Sequence, residues 1–185
     1  MVKRNYLYVW SVIIMTGEER RRKIVSMLKG QNSHLSGTAL ANEFHVSRQV
    51  IVQDIALMRA ENYDILSTNR GYIYRRDAYQ SSMPKRVFFV RHSNEQVLEE
   101  FLTILELGGK ILDVVVEHEI YGQIRVDLLI ETDQDAREFH EKIIHSNDKP
   151  LMALTGDCHY HTVAAPSEKL LDLISQERDN KGYRI

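Results

Sequence analysis

The sequence is poor in the residues that define several classes of protein. It has one cysteine, Cys158, so it cannot form an internal disulfide, and it has no Cys-x-x-Cys motif. The one stretch that resembles a signal or membrane segment, residues 6–14, is too short to span a membrane and is followed by charged residues rather than a small-residue cleavage site. We therefore expect neither secretion nor membrane insertion, and a location in the reducing cytoplasm.

Glycine and proline are also sparse, with nine and three residues in a chain of 185. The sequence contains no glycine-rich phosphate loop and no nucleophile elbow, which argues against a nucleotide-hydrolysing enzyme and a serine hydrolase. Charge is unevenly distributed: residues 1–84 contain 12 Lys and Arg against 7 Asp and Glu, whereas residues 85–185 contain 12 against 19. This difference predicts two domains, of which only the basic first one contacts nucleic acid.

The first helix is predicted from a capping pattern. Thr16 and Glu19 form a Thr-x-x-Glu capping box, which begins a helix at residues 17–29 with one apolar face. If the chain began at Met15, this capped helix would be its first element. We therefore expect residues 1–14 to be an upstream extension with no role in the fold.

A linker is predicted between the two domains. Residues 76–84 are polar, lack the periodicity of a helix or strand and end with a proline. We therefore assign residues 15–75 to the first domain and residues 85–185 to the second.

Two closely connected helices predict a DNA-binding motif in the first domain. Residues 38–44 form a short helix with one apolar side, and only two residues separate them from Ser47, a good N-cap for a second helix. So short a connection indicates a helix-turn-helix. The exposed side of the second helix carries residue types that donate paired hydrogen bonds to base edges in the major groove. The residues expected to contact DNA from this helix are Ser47, Arg48, Gln49 and Gln53.

A β-hairpin is predicted after the second helix. Residues 65–67 and 72–74 are β-prone and flank a turn with the sequence Thr-Asn-Arg-Gly. A hairpin in this position is the wing of a winged helix-turn-helix, and we expect Asn69 and Arg70 in its turn to contact DNA. The alternative is a small helical pair that merely packs.

The second domain alternates strands and helices. The predicted βαββαβ order with a closing helix is that of a split-βαβ or ferredoxin-like domain, with helices on one face of an antiparallel sheet. The chain as a whole is thus expected to be α+β. The predicted elements are strand 87–90, helix 93–105, strands 111–117 and 123–130, helix 132–144, strand 158–164 and helix 167–177.

Four residues of the second domain are candidates for a metal site. His159 and His161 are two apart on a predicted strand, so both imidazoles leave the same face. His92 ends the first strand of the domain, and Glu100 lies at the flank of the apolar side of the next helix. Imidazole and carboxylate donors suit Zn, Ni, Fe or Mn. Spacing alone leaves open the alternative that these are surface or hydrogen-bonded histidines.

Several short motifs carry a resemblance to a known family. They are Val46–Gln49, Arg91–His92, Glu100, His118 with Tyr121–Gly122, and Gly156–His161. The first domain looks like a winged helix-turn-helix of the biotin-repressor type and the second like the three-histidine (3H) domain, a pairing similar to the bacterial niacin-responsive transcriptional repressors. The resemblance implies a repressor of genes for NAD precursor uptake or synthesis, with nicotinic acid as co-repressor. It also implies a divalent metal at His92, Glu100, His159 and His161. The resemblance does not fix which metal this is, and we expect Ni or Zn.

The expected partners are double-stranded operator DNA and a second copy of the chain, since palindromic operators mirror two-fold proteins. We expect Arg91, His118 and Tyr121 to contact the effector. Two alternatives stay open: a regulator whose signal is the metal itself, and a metal-dependent hydrolase fused to a DNA-binding domain. Against the hydrolase, no spare carboxylate follows the ligands at a fixed spacing to act as a base, so we expect the protein not to be an enzyme.

Overall fold

The computed structural model describes residues 15–31, 33–75 and 82–183. The predicted extension at 1–14 and most of the predicted linker at 76–84 lie outside the described residues. No helix in the described part of the chain is long and apolar enough to cross a membrane.

Side-chain caps determine where the three helices of the first domain begin. These helices are α1 (Gly17–Gly30), α2 (Gly37–Glu43) and α3 (Arg48–Ala60). The capping box of Thr16 and Glu19 starts α1, and the Ser36 and Ser47 side chains accept hydrogen bonds from backbone N–H groups in the first turns of α2 and α3. The predicted helix-turn-helix is confirmed.

The predicted wing is a two-stranded antiparallel hairpin. Its strands are β1 (Ile65–Thr68) and β2 (Gly71–Tyr74). Gly71 has a φ of +128°, and a Cβ atom there would lie 2.4 Å from the carbonyl oxygen of Leu35. The close approach of these two segments therefore requires glycine at position 71. Leu35 and Tyr72 exchange two backbone hydrogen bonds of 2.9 Å, which tie the hairpin to the segment before α2.

The second domain has the predicted βαββαβ order and a closing helix. Its elements are β3 (Lys85–Arg91), α4 (Val97–Glu106), β4 (Lys110–His118), β5 (Gly122–Ile130), α5 (Asp133–His145), β6 (Cys158–Ala164) and α6 (Glu168–Asn180). The strands form one sheet in the order β3-β6-β4-β5, and every neighbouring pair is antiparallel. Hence β3 and β4 are parallel with β6 between them, and β5 and β6 are parallel with β4 between them. These are two split βαβ units. The ferredoxin fold itself has its first strand in the centre of the sheet, whereas here β3 lies at an edge.

One face of this sheet carries the helices, as predicted. Apolar residues of α4, α5 and α6 pack there against the strands, and Phe101, Ile130 and Ile174 are fully buried in the resulting core. This layer positions the ends of β3 and β6 beside α4, where the candidate metal ligands lie.

The wing of the first domain covers part of the opposite face. Leu66 and Ile73 of the hairpin pack against an apolar cluster formed by Leu112, Leu129 and Ala164 of the sheet. The hairpin is therefore an interdomain contact as well as an element of the first domain.

The turn of the wing contacts α5. Arg70 forms ion pairs with Asp135 and Glu138, and the Lys142 ammonium donates a hydrogen bond of 2.8 Å to the carbonyl oxygen of Asn69. Asp135 is also part of the capping box that begins α5, where it accepts hydrogen bonds from two backbone N–H groups. Both wing residues that were predicted to contact DNA thus lie against the second domain in this arrangement.

Candidate metal centre and adjoining cavity

The four predicted metal ligands come together in one buried cluster. Each of His92, Glu100, His159 and His161 offers one donor atom, and these atoms all lie within 4.8 Å of one another. Strand β6 supplies two histidines, the residue after β3 supplies the third, and α4 supplies the carboxylate. All four residues are buried, Glu100 completely.

Each histidine of the cluster forms a hydrogen bond between its Nδ1 atom and a backbone carbonyl oxygen. The Nδ1 atoms of His92, His159 and His161 lie 3.0, 3.0 and 2.8 Å from three different carbonyl oxygens. Because a carbonyl only accepts, the proton of each neutral ring is on Nδ1 and the lone pair of Nε2 faces the cluster. Histidines that bind metals are commonly oriented in this way.

Lone pairs therefore converge at the centre of the cluster. The Nε2 atoms of His159 and His161 are 3.1 Å apart, and Glu100 Oε2 lies 2.8 Å from His92 Nε2 and 3.7 Å from His161 Nε2. Two unprotonated nitrogen atoms at this distance repel each other unless a cation lies between them. The donor set fits a divalent transition metal, to which imidazole nitrogen and carboxylate oxygen both bind.

The neighbouring histidines, together with a buried arginine, keep the carboxylate of the cluster ionised. Burial alone would raise the pKa of Glu100, but the neighbouring His161, His92 and Arg178 lower it to about 2. Arg178 of α6 donates a hydrogen bond of 3.1 Å to Glu100 Oε1, and its guanidinium lies 4.6 Å from the centre of the Phe88 ring. Glu100 Oε2 is thus left to face the histidines. Arg178 could not be identified from the sequence, because it is 78 positions from its partner.

Burial keeps two of the histidines neutral. It lowers the pKa of His159 to about 3 and also lowers the pKa of His161. Burial opposes a charge on His92 too, but the hydrogen bond to Glu100 raises the pKa of His92 above its ordinary value. Without metal, a proton on His92 Nε2 therefore satisfies Glu100, whereas His159 and His161 are in the neutral form that binds metal.

A cavity of about 290 Å³ opens beside two of these histidines. His159 and His161 line it together with mostly apolar side chains. The Phe101 ring lies 5.3 Å from the His161 ring and is stacked on Phe139 at 5.7 Å. Ligand pockets begin at roughly 300 Å³, so this cavity suits a small ligand with an apolar body.

The residues predicted to contact an effector do not line this cavity. Arg91 is exposed on β3. His118 accepts hydrogen bonds from the backbone N–H groups of Ile120 and Tyr121 at the turn between β4 and β5, where Tyr121 is 74% exposed. The lining instead includes Asn69 of the wing, which was predicted to contact DNA. Local sequence patterns could not have revealed this position, because they do not show which residue of the first domain lies beside a cavity of the second.

The helix predicted to read DNA presents its polar residues to solvent. Arg48, Gln49 and Gln53 are exposed on α3, and Ser47 is the N-cap of that helix. The turn of the wing, in contrast, lies against α5. Contact of these residues with DNA stays a prediction.

Together these features define a winged helix-turn-helix protein whose second domain contains a buried cluster of three histidines and a glutamate beside a small cavity. Residues 20–73 match the family model of an HTH domain, and residues 85–185 match that of the 3H domain. The chain is therefore a DNA-binding regulator with two recognised domains.

Two curated proteins are similar to this chain over nearly its whole length. One is named “Probable transcription repressor NiaR”, from Thermotoga maritima, and is 39% identical over 168 residues, which cover 91% of this chain and 94% of the relative. The other is named “Transcription repressor NadR”, from Bacillus subtilis, and is 36% identical over 172 residues, which cover 92% and 96%. The chain belongs to this family of 3H-domain transcription repressors, and it is a regulator rather than an enzyme.

Proposed function

We propose that this repressor acts in the cytoplasm and responds to nicotinic acid, bound together with a divalent metal in the second domain. The genes it controls would serve the uptake or synthesis of NAD precursors. The observation that carries the proposal is the pair of neutral histidine nitrogens, 3.1 Å apart, beside a small apolar cavity. A cation between these two atoms would relieve the repulsion of their lone pairs, and the cavity has room for a small ligand next to it.

The metal would be Ni or Zn, held by His92, Glu100, His159 and His161. Borderline metals bind imidazole well, and geometry selects among them. When bound, the metal supplies a positive charge and a position for a nitrogen or oxygen ligand. Arg178 orients Glu100, and the backbone carbonyls orient the three imidazole rings.

The shape and chemistry of the cavity support a pyridine carboxylate. The rings of Phe101 and Phe139 and the aliphatic lining suit the flat face of an aromatic ligand. The cavity also has Lys142 and Lys149 in its lining, both exposed. Asp148 lies in the same lining, so these two cations and one anion leave a net charge of +1 at the rim. A net positive charge favours a carboxylate over a neutral amide, so nicotinic acid should bind more tightly than nicotinamide.

DNA binding would use the exposed side of α3. A homodimer presents two copies of Ser47, Arg48, Gln49 and Gln53 to the two half-sites of a palindromic operator. The wing residues would have to leave α5 in order to reach the same DNA.

A second candidate is a repressor whose signal is the metal alone. It is favoured by the count of protein ligands, since four donors complete the tetrahedral shell of a closed zinc site without any effector. In that case the cavity beside the cluster would have no part in the response.

Operator binding measured by mobility shift distinguishes the two candidates. The titrations use a DNA fragment selected for binding in vitro, with metal, nicotinic acid and nicotinamide added separately and together. We expect metal-loaded protein to bind DNA more tightly with the acid, by a coupling free energy of about 1–3 kcal/mol, and to respond less to the amide. His92→Ala should remove the response to the acid and leave the effector-free binding nearly intact.

A full response to metal alone would favour the second candidate. An identical response to acid and amide, or a His92→Ala protein that still responds fully, would contradict the placement of the effector beside the cluster.

A further inference from the structure

The turn of the wing forms part of the cavity beside the histidines. Asn69, between β1 and β2, lines this cavity together with Phe139 and Lys142 of α5. The Lys142 ammonium donates a hydrogen bond of 2.8 Å to the Asn69 carbonyl oxygen, and Arg70 holds the turn against α5 through Asp135. The cavity is therefore enclosed by residues of both domains.

The side chain of Asn69 has hydrogen-bonding capacity that the described residues do not use. Its Oδ1 and Nδ2 atoms are both buried, and neither has a hydrogen-bond partner in the described part of the chain. Buried amide groups in native proteins are satisfied by protein, water or ligand, so the amide of Asn69 is available to a polar group that enters the adjoining cavity.

A second polar group lies at the same place. Lys142 is exposed, and among the described residues its ammonium bonds to a neutral carbonyl oxygen rather than to a carboxylate. Asp148 and Lys149 also line the cavity and carry opposite charges. An ammonium beside an amide N–H donor is suited to bind a carboxylate.

The aromatic wall of the cavity separates this polar end from the metal cluster. In this wall the centre of the Phe101 ring lies 5.3 Å from that of His161 and 5.7 Å from that of Phe139. Lys142 follows Phe139 by three residues and so lies on the same side of α5. A flat ligand along this wall can direct its ring nitrogen to the cluster and its carboxylate to Asn69 and Lys142.

We propose that the effector site is shared between the domains, with Asn69 of the wing and Lys142 of α5 binding the carboxylate of the ligand. This inference rests on the proposed function, and it gives the turn of the wing a role in ligand binding rather than in DNA contact. A ligand that bonds to both domains favours the arrangement in which the wing is docked on the sheet. Occupancy of the cavity is thereby coupled to the position of α3, which the wing adjoins in the same domain.

Calorimetric titration of the full chain, loaded in parallel with Zn²⁺ and Ni²⁺ and without DNA, tests this site. The titrants are nicotinic acid and nicotinamide. Asn69→Asp keeps the shape of the side chain but places a negative charge beside the carboxylate, and Lys142→Met removes the cation. Each should weaken binding of the acid about tenfold or more and change binding of the amide much less. Arg137→Met, which removes an exposed cation of α5 outside the lining, should bind both ligands as the wild type does.

The outcomes separate this inference from the proposed function. If the wild type binds the acid and both variants bind it equally well, the shared site is wrong and the proposed function stands. Equal losses for acid and amide would show that the variants distort the cavity rather than remove a carboxylate contact, which also overturns the shared site. If the wild type binds neither ligand, the proposed function is wrong and this inference falls with it.

Discussion

Replacement of Arg178 by methionine should destabilise the metal-free protein much more than the metal-loaded protein. Without metal, the fully buried Glu100 has a pKa of about 2, and Arg178 and His92 neutralise its charge. Removal of one partner from a buried ion pair typically costs about 3–5 kcal/mol, because the remaining charge is left uncompensated. Since His92 still bonds to Glu100, we expect a loss near the lower end, about 3 kcal/mol.

Metal in the cluster should reduce this loss. The charge of the metal then compensates Glu100, and what remains is the lost contact of the guanidinium with the Phe88 ring, about 1 kcal/mol. Arg86→Met is a matched control. Arg86 also joins β3 to α6, through Glu168 and Asp172 at 2.9 Å, but both carboxylates are exposed, so the expected loss is about 0–1 kcal/mol with or without metal.

Urea unfolding followed by circular dichroism, in chelator and in saturating zinc, measures these differences. Equal losses of unfolding free energy for Arg178→Met and Arg86→Met in chelator would refute a special cost of the buried charge on Glu100. A loss for Arg178→Met that is equal in chelator and in zinc would show that the metal does not bind at Glu100.

Arg48→Ala should weaken operator binding by about 1–3 kcal/mol through loss of a paired contact to a base, and an unchanged mobility-shift titration would contradict that role. The metal-free protein should lose stability as the pH falls below 6.5, because the unfolded chain then protonates His159 whereas the folded chain, with a pKa of about 3, does not. Denaturation at stepped pH should show this slope, and His159→Gln should make it shallower, with a remainder from His161, whose pKa burial also lowers. Gly71→Ala should cost more than about 1 kcal/mol in thermal unfolding, because its Cβ would lie 2.4 Å from the Leu35 oxygen. Gly156→Ala, where φ is also positive but the space is open, should cost less, and equal losses would rule out the clash as the cause.

Local sequence patterns were sufficient to predict where the helices begin and that two of the candidate metal ligands lie on the same face of a strand. The caps of Thr16 and Ser47 act on N–H groups within three residues, so their effect does not depend on the rest of the fold. His159 and His161 leave the same face of any extended strand, because successive side chains alternate. The βαββαβ order was also predictable, since each element has its own periodicity.

Only the tertiary structure decided the surroundings of these elements. Glu100 appeared at the flank of an apolar stripe, yet it is fully buried, because the packing of α6 brings Arg178 to it across 78 positions. The strand order, with β3 at an edge, likewise depends on how the elements pack. Asn69 and Lys142 meet across 73 positions and two domains. Contacts of this kind leave no periodic signal in the sequence, because they arise when the apolar side of the wing covers the free face of the sheet.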